Sequence, residues 1–153
     1  MRHYQSWVGA ARTRLLVGMA ATFAAGCAVN TEGQPQFATS GLTCVEDTTE
    51  CIAARRAAHM HLVADTSRSW VAARPSARHY VAGVRLFAFK TEAQRLACAD
   101  LAVGVAEAQR TPAILRGPEG QSFKPGLVSR AIMLAEEVER ELKREQRKRC
   151  GRR

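Results

Sequence analysis

The chain has 153 residues, of which 46% are apolar, 24% charged and 6% aromatic. These proportions are typical of a soluble single domain and exclude a disordered or fibrous chain. Lys and Arg number 23 against 14 Asp and Glu, a formal charge of +9, and the chain contains five cysteines. Because so many cysteines in a short chain are unusual in a reducing compartment, export is the first hypothesis to test.

Residues 1–26 have the pattern of an export signal. They contain basic residues and no acid, and the basic stretch is followed by a short apolar run, residues 15–26. As a helix, that run would cover only about 18 Å of a hydrocarbon core about 30 Å thick, so it is too short for a permanent membrane span. The segment therefore predicts a signal peptide that is removed from the mature protein.

The apolar run ends in Ala24-Ala25-Gly26-Cys27, with small residues directly before a cysteine. This stretch resembles the lipobox of bacterial lipoprotein precursors, and the resemblance covers about the first 27 residues. It implies that Cys27 becomes the first residue of the processed chain and carries a thioether-linked diacylglycerol and an acylated amine, with palmitate as a typical acyl group. Ala28 is not the aspartate that retains enteric lipoproteins in the inner membrane, so the resemblance implies a periplasm-facing protein of the cell envelope and favours the outer membrane.

Two other interpretations of this segment stay open at the level of sequence. In the first, residues 15–26 form a buried apolar helix and Cys27 is a small hydrophobic residue. In the second, an ordinary signal peptidase cleaves at the small residues Ala24-Ala25-Gly26 without lipid attachment. The basic segment without acids, followed by a short apolar run, favours export, and the cysteine after the small residues favours the lipoprotein.

The next residues, 27–43, predict a lipid-anchored tether, and residues 44–153 a helical domain with a basic C-terminal tail. Residues 28–43 are rich in Gly, Ser, Thr, Gln and Pro and have little to bury. For a flexible chain of about sixteen residues, the mean end-to-end distance is about 20 to 24 Å. The domain is therefore expected to lie within that distance of the membrane.

The domain is predicted to be all-α, a small bundle of about four helices stapled by disulfides. The first helix begins near Asp47 to Thr49, where side chains can cap exposed amides, and ends before residues 65–67. A connector containing Trp70 leads to a second helix, which starts at Ser76 and has apolar residues at helical spacing as far as Phe87.

A capping-box pattern of Thr91 with Gln94 predicts the start of a third helix, and Pro112 predicts its end. The last helix is predicted from Leu127 to about Arg149, after a loop rich in Gly and Pro. Its apolar residues repeat with spacings of three and four, which predicts a face packed on the core of the same chain rather than a coiled-coil seam. These residues are Val128, Ala131, Ala135, Val138 and Leu142.

After Cys27, an even number of cysteines remains, namely Cys44, Cys51, Cys98 and Cys150. Outside the cytoplasm this count predicts two disulfides, for which three connectivities are possible. A local bridge between Cys44 and Cys51 is sterically reasonable across seven residues, and it leaves Cys98 to pair with Cys150. We prefer this pairing, although sequence alone does not decide it. The spacings typical of zinc sites and redox pairs do not occur.

The sequence predicts no catalytic residue, no cofactor and no metal site. His59 and His61 form the one histidine cluster after Cys27, but their side chains point about 200° apart on a helix, so both are predicted to be solvent-facing polar residues. A glycine-rich phosphate loop, a G-x-S-x-G motif and an H-E-x-x-H motif are all missing from the sequence. A non-enzymatic protein is therefore expected.

Residues 143–153 form a basic tail with seven Lys and Arg and one acid. It has three interpretations: a solvated helix end whose cations complement the helix dipole, a surface that lies on anionic lipid, or a site for another envelope polyanion. The candidate polyanion-binding residues are Arg147, Lys148, Arg152 and Arg153.

The resulting hypothesis is a small envelope lipoprotein that serves as a structural or interaction module. Its partners would be the membrane, through the lipid anchor, and anionic lipid or another polyanion, through the tail; nucleic acid is not expected, and the sequence indicates no protein partner. The alternative is a cytoplasmic basic helical protein that binds nucleic acid through its C-terminal tail. That alternative requires a downstream start or a non-functional signal, together with reduced cysteines.

Overall fold

The computed structural model describes residues 39–151, and these residues form helices and connecting turns without a strand. The predicted all-α fold is therefore confirmed. The helices are α1 (Thr49–Ala64), α2 (Ser69–Ala72), α3 (Ala77–Ala82), α4 (Val84–Glu92), α5 (Cys98–Arg116) and α6 (Pro125–Cys150), with a 3-10 turn at Pro118–Gly120. Within residues 39–151, no helix is both long enough and apolar enough to cross a membrane.

Helices α5 and α6 form an antiparallel pair at the centre of the fold. The start of α5 is joined to the end of α6 by the Cys98–Cys150 disulfide, and Gln109, further along α5, donates a hydrogen bond to Glu139 at 3.0 Å. A Cβ atom at Gly104 of α5 would lie 2.7 Å from Phe89 and 2.8 Å from Leu142. The glycine therefore lets α5 approach α4 and α6 closely at the level of these two side chains.

The predicted apolar face of the last helix packs on this core. Ala131, Ala135, Val138 and Leu142 are buried and Val128 is half-buried, so the stripe is an intramolecular core face, as predicted. The start of α1 also agrees with prediction, because the side chain of its N-cap residue, Thr48, accepts a hydrogen bond from the backbone N–H of Cys51 at 3.2 Å.

The prediction of one continuous second helix from Ser76 is wrong, because Gly83 divides this segment into α3 and α4. Gly83 has a φ of 74°, in the left-handed region that favours glycine. A Cβ atom at this position would also lie 2.8 Å from the Leu134 side chain of α6. Gly83 therefore separates α3 from α4, and its lack of a side chain leaves room for Leu134 of α6.

Both predicted ends of the third helix are also wrong. Thr91 does not cap a new helix but lies in the last turn of α4, where its hydroxyl donates to the carbonyl of Phe87 at 3.0 Å. Helix α5 begins instead at Cys98 and continues through Pro112 to Arg116. Leu115, beyond the proline, is almost completely buried, and this packing offsets the backbone hydrogen bond that Pro112 cannot donate. Trp70, predicted to lie in a connector, belongs to the short helix α2.

The packed part of the chain also begins earlier than Cys44. Gly41, which falls within the predicted tether, is buried, and a Cβ atom there would lie only 2.0 Å from the backbone oxygen of Ala54 in α1. Leu42 is partly buried against the core. The low-complexity composition of residues 28–43 hid this contact, because close packing of a glycine leaves no apolar signal in the sequence.

We predict that Gly41→Ala lowers the free energy of unfolding by about 1 to 3 kcal/mol, since the added methyl group forces the chain away from α1. Gly126→Ala is the matched control, because a Cβ atom at Gly126 meets nothing within 4 Å. Urea unfolding of the two variants measures the difference. Equal stability of Gly41→Ala and wild type would show that residues 39–43 do not pack on the domain.

Candidate functional site

The basic tail is the end of α6, a helix of 26 residues that is about 39 Å long. Arg149 anchors it, because one terminal nitrogen of its guanidinium donates to the carbonyl oxygens of Ala93 at 2.9 Å and Leu96 at 2.8 Å. The neighbouring Cys150 is bonded to Cys98 at the start of α5. As far as Cys150, the tail is therefore fixed to the bundle.

Acidic residues offset much of the positive charge in this part of α6. Four ion pairs lie along the helix, with N–O distances between 2.6 and 3.9 Å: Lys143–Glu139, Arg144–Glu141, Lys148–Glu145 and Arg149–Glu145. Glu139 and Glu141 precede residue 143, so counting charges only from Lys143 onward overestimates the local positive charge. The spacing of three or four residues between partners was a signal for these pairs in the sequence.

The four candidate polyanion-binding residues are therefore not equivalent. Arg147 is exposed, and its side chain forms no hydrogen bond or ion pair with any residue from 39 to 151. Lys148 is 70% exposed, and its contact with Glu145 is long, at 3.9 Å. Arg152 and Arg153 lie outside the described residues, as does Cys27, the predicted lipidation site. Of the four candidates, the described residues thus include two exposed basic side chains, Arg147 and Lys148.

The preferred disulfide pairing is the one that the structure contains. The Cα atoms of Cys44 and Cys51 are 5.6 Å apart, and those of Cys98 and Cys150 are 5.9 Å apart, distances typical of disulfides. Cys44, Glu46 and Cys51 also form the one group of possible metal-ligating atoms found within residues 39–151. Because the two sulfur atoms are joined in a disulfide, they are not the thiolates that bind metal ions.

The two histidines of the predicted cluster have different surroundings. His61 is exposed, as expected, whereas His59 is half-buried. The His59 ring lies 4.9 Å from the ring of Phe87, and its Nε2 is 3.1 Å from the hydroxyl of Thr91. Burial holds the pKa of His59 below its ordinary value, which favours the neutral ring packed on α4.

An open cleft of about 640 Å³, which sequence reasoning did not find, lies between the loop before α1 and the loop before α6. Its apolar lining comes from Val45, Phe123 and Leu127. Its volume is in the range of small-ligand sites. Its polar lining consists of two hydroxyl residues, Thr48 and Ser122, and of charged residues of both signs, Glu46, Asp47, Arg78 and Lys124.

Arginines hold the first of these loops in place. Arg55 donates to the carbonyl oxygens of Cys44 at 3.2 Å and Glu46 at 2.8 Å, and Arg78 donates to that of Thr43 at 2.7 Å. Asp47 forms an ion pair with Arg130 at 3.2 Å. Glu46 forms an ion pair with Arg78 at 3.5 Å. Both acids of the cleft are thus paired with arginines, and the disulfide closes the loop, so this end of the bundle has a fixed shape.

A buried ion pair joins α4 to α5. Arg85 is 6% exposed and Glu107 is 1% exposed, and Nε of Arg85 lies 2.7 and 2.9 Å from the two carboxylate oxygens. The terminal nitrogens of Arg85 donate to the backbone oxygens of Trp70 and Val71. Its guanidinium also lies 5.5 Å from the centroid of the Trp70 ring. These contacts tie α2 to the core, which is a structural role.

Comparisons with known proteins provide no family for this chain. No protein-family model matches the sequence, and searches of curated proteins and of solved structures find no match.

Proposed function

We propose that the protein is a small lipoprotein of the bacterial cell envelope, in which a disulfide-stapled helical domain is held at a membrane through Cys27 and acts as an interaction module. The observation that carries this proposal is the pairing of cysteines. The two disulfides use all four cysteines after Cys27, so the count leaves Cys27 without a disulfide partner in its own chain.

The disulfides support an oxidising compartment. Structural disulfides persist outside the cytoplasm and are rare in reducing compartments. An unmodified leftover cysteine in an exported protein either pairs with a cysteine of another chain or stays a free reactive thiol. Here the leftover cysteine is Cys27, which follows Ala24-Ala25-Gly26, where a lipoprotein signal peptidase requires a diacylated thiol. Lipid attachment accounts for the position of Cys27 and for the odd number of cysteines in the chain.

The packing of Gly41 on α1 shortens the connection between lipid and domain. Thirteen residues, 28–40, then lie between Cys27 and Gly41, the first buried residue of the described part of the chain. A flexible chain of about thirteen residues has a mean end-to-end distance of about 18 to 22 Å. The domain would therefore stay close to the headgroups, and because Asp does not follow Cys27, the outer membrane is the proposed location.

Within this proposal, the cleft beside the Cys44–Cys51 disulfide is the surface that a partner in the envelope would contact. It combines a fixed loop, an apolar lining and charged side chains of both signs. The basic end of α6 has a secondary role as a contact for anionic lipid. The acids of α6 offset part of its charge, and a Lys or Arg near an anionic surface contributes only about 1 kcal/mol.

The experiment that tests the proposal is metabolic labelling with palmitate. Cys27→Ser should abolish labelling and leave the precursor uncleaved, because diacylation requires the thiol. Cys44→Ser is the matched control, which removes a cysteine from a disulfide and should retain the label. Equal labelling of Cys27→Ser and wild type would overturn the lipoprotein proposal.

A second prediction concerns the tail. In an unlipidated chain of residues 27–153 with Cys27→Ser, replacing Arg147, Lys148, Arg152 and Arg153 by Glu should abolish weak, salt-sensitive co-sedimentation with vesicles that contain anionic lipid. The binding should weaken in wild type as the Debye length falls from about 10 Å at 0.1 M salt to about 3 Å at 1 M. The control reverses four basic residues elsewhere, Arg56, Arg74, Arg116 and Lys124, and should retain binding. Identical sedimentation of the two charge-reversed chains would leave the tail as a solvated helix end.

A further inference from the structure

A cavity of about 70 Å³ lies between the end of α1, the segment joining α2 to α3, and the start of α4. It is large enough for more than one water molecule, since a water occupies about 30 Å³ in the liquid. The residues that line it are Leu42, Leu62, Trp70, Ala73, Arg74, Pro75, His79 and Arg85. The cavity is separate from the cleft beside the Cys44–Cys51 disulfide, with which it shares no lining residue.

The polar side chains of this lining are all of types that donate hydrogen bonds. Trp70 is 7% exposed, and its Nε1–H is buried without a hydrogen-bond partner among residues 39–151. An indole N–H can only donate, so its unmet requirement is for an acceptor. A buried donor without an acceptor is costly, and buried polar groups that lack a partner in the protein are commonly satisfied by ordered water or an ion.

The other polar side chains of the lining, those of His79, Arg74 and Arg85, can also donate hydrogen bonds. The Nδ1 atom of His79 accepts a hydrogen bond from the backbone N–H of Ser76 at 3.2 Å, so the proton of the neutral ring is on Nε2, which is a donor. The charge of Arg85 is already offset by Glu107. Arg74 is exposed and forms no hydrogen bond or ion pair with any residue from 39 to 151, so its positive charge is available to a ligand.

The remaining lining is apolar. Leu42, Leu62, Ala73 and Pro75 contribute no side-chain acceptor, and no acidic residue lines the cavity. Water can accept a hydrogen bond from Trp70, but it carries no negative charge to pair with Arg74 and no apolar group to pack against the leucine side chains. A molecule with a single negative charge on acceptor oxygens and a short apolar part fits all three features of the lining.

We propose that this cavity binds a small aliphatic carboxylate of about the size of acetate. The carboxylate accepts hydrogen bonds from Trp70 and His79 and is neutralised by Arg74, and its methyl group packs against the leucine side chains. The proposal does not depend on lipid attachment at Cys27, because every residue that it uses lies in the folded domain.

Trp70 itself reports on binding. In the full chain with Trp7→Phe, purified in detergent, Trp70 is the single tryptophan. Titration with sodium acetate, at an ionic strength kept constant with sodium sulfate, should produce a saturable change in tryptophan fluorescence. The methyl proton resonance of acetate should broaden over the same concentration range.

Arg74→Gln should weaken acetate binding at least tenfold, whereas Arg56→Gln, a matched change of an exposed arginine on α1 outside the lining, should leave it unchanged. Because Arg74 is exposed, its replacement should not alter the far-UV circular dichroism or the thermal midpoint. Three results would each overturn the proposal: the lack of a saturable response, an equal response to chloride, which would indicate a halide site, and an unchanged affinity in Arg74→Gln.

Discussion

Glu107→Leu is expected to lower the free energy of unfolding by about 3 to 5 kcal/mol, because it leaves the buried guanidinium of Arg85 without its counter-charge. The expected loss is large in relation to the total stability of a domain of this size, which is about 5 to 15 kcal/mol. Glu136→Leu, a change of an exposed glutamate on α6, is the control and should alter stability by no more than about 0.5 kcal/mol. Urea unfolding followed by circular dichroism measures both.

The double variant Arg85→Met with Glu107→Leu separates the ion pair from the packing around it. Replacing both charges by apolar groups removes the penalty of an unpaired charge, so the double variant should be more stable than Glu107→Leu alone. It should not recover fully, because the backbone oxygens of Trp70 and Val71 lose the donor that Arg85 provides. Stability of Glu107→Leu within 0.5 kcal/mol of wild type would contradict the buried pair.

The second large effect concerns the disulfides. Replacing Cys98 and Cys150 together by Ala should cost about 4 kcal/mol, since the bridge closes 52 residues and constrains the unfolded chain strongly in the chain-entropy model. The same model gives about 2 kcal/mol for removal of the Cys44–Cys51 bridge, which closes only seven residues. The pair at the end of α6 is therefore expected to be the more important one.

Urea unfolding of the two double-alanine variants tests this order, and alkylation of native exported protein tests the premise. No thiol among these four cysteines should react before reduction. If removal of the Cys44–Cys51 bridge destabilised the domain more than removal of the Cys98–Cys150 bridge, the chain-entropy explanation would be wrong. Four reactive thiols in the native exported protein would contradict the disulfides themselves.

The sequence predicted those parts of the fold that depend on local pattern. The repeat of Ala131, Ala135, Val138 and Leu142 identified the buried face of α6, because helical periodicity is visible within one segment. The predictions of an unbroken helix through Gly83 and of a helix end at Pro112 are wrong for the opposite reason. Whether a glycine breaks a helix, or a proline is tolerated within one, depends on what packs beside it, here Leu134 near Gly83 and the core around Leu115.

The features of the candidate site could likewise be predicted from the sequence only in part. The disulfide partners followed from the count and spacing of the cysteines, whereas the cleft forms only when residues 45–48 and 122–127 meet with Arg78. The buried pair of Arg85 and Glu107 was likewise hidden, because its members are 22 residues apart and each resembles a surface residue in the sequence. The ion pairs within α6, in contrast, could have been predicted from the sequence, because each base lies three or four residues after its acidic partner.

The most direct test of the central proposal is the intact mass of the protein isolated from cells that process it naturally. The proposal predicts a chain that begins at Cys27, carries acyl chains and has four hydrogen atoms fewer than the fully reduced form, corresponding to two disulfides. A mass that corresponds to an unmodified chain retaining residues 1–26, with all five cysteines reduced, would contradict it and favour a basic protein of the cytoplasm.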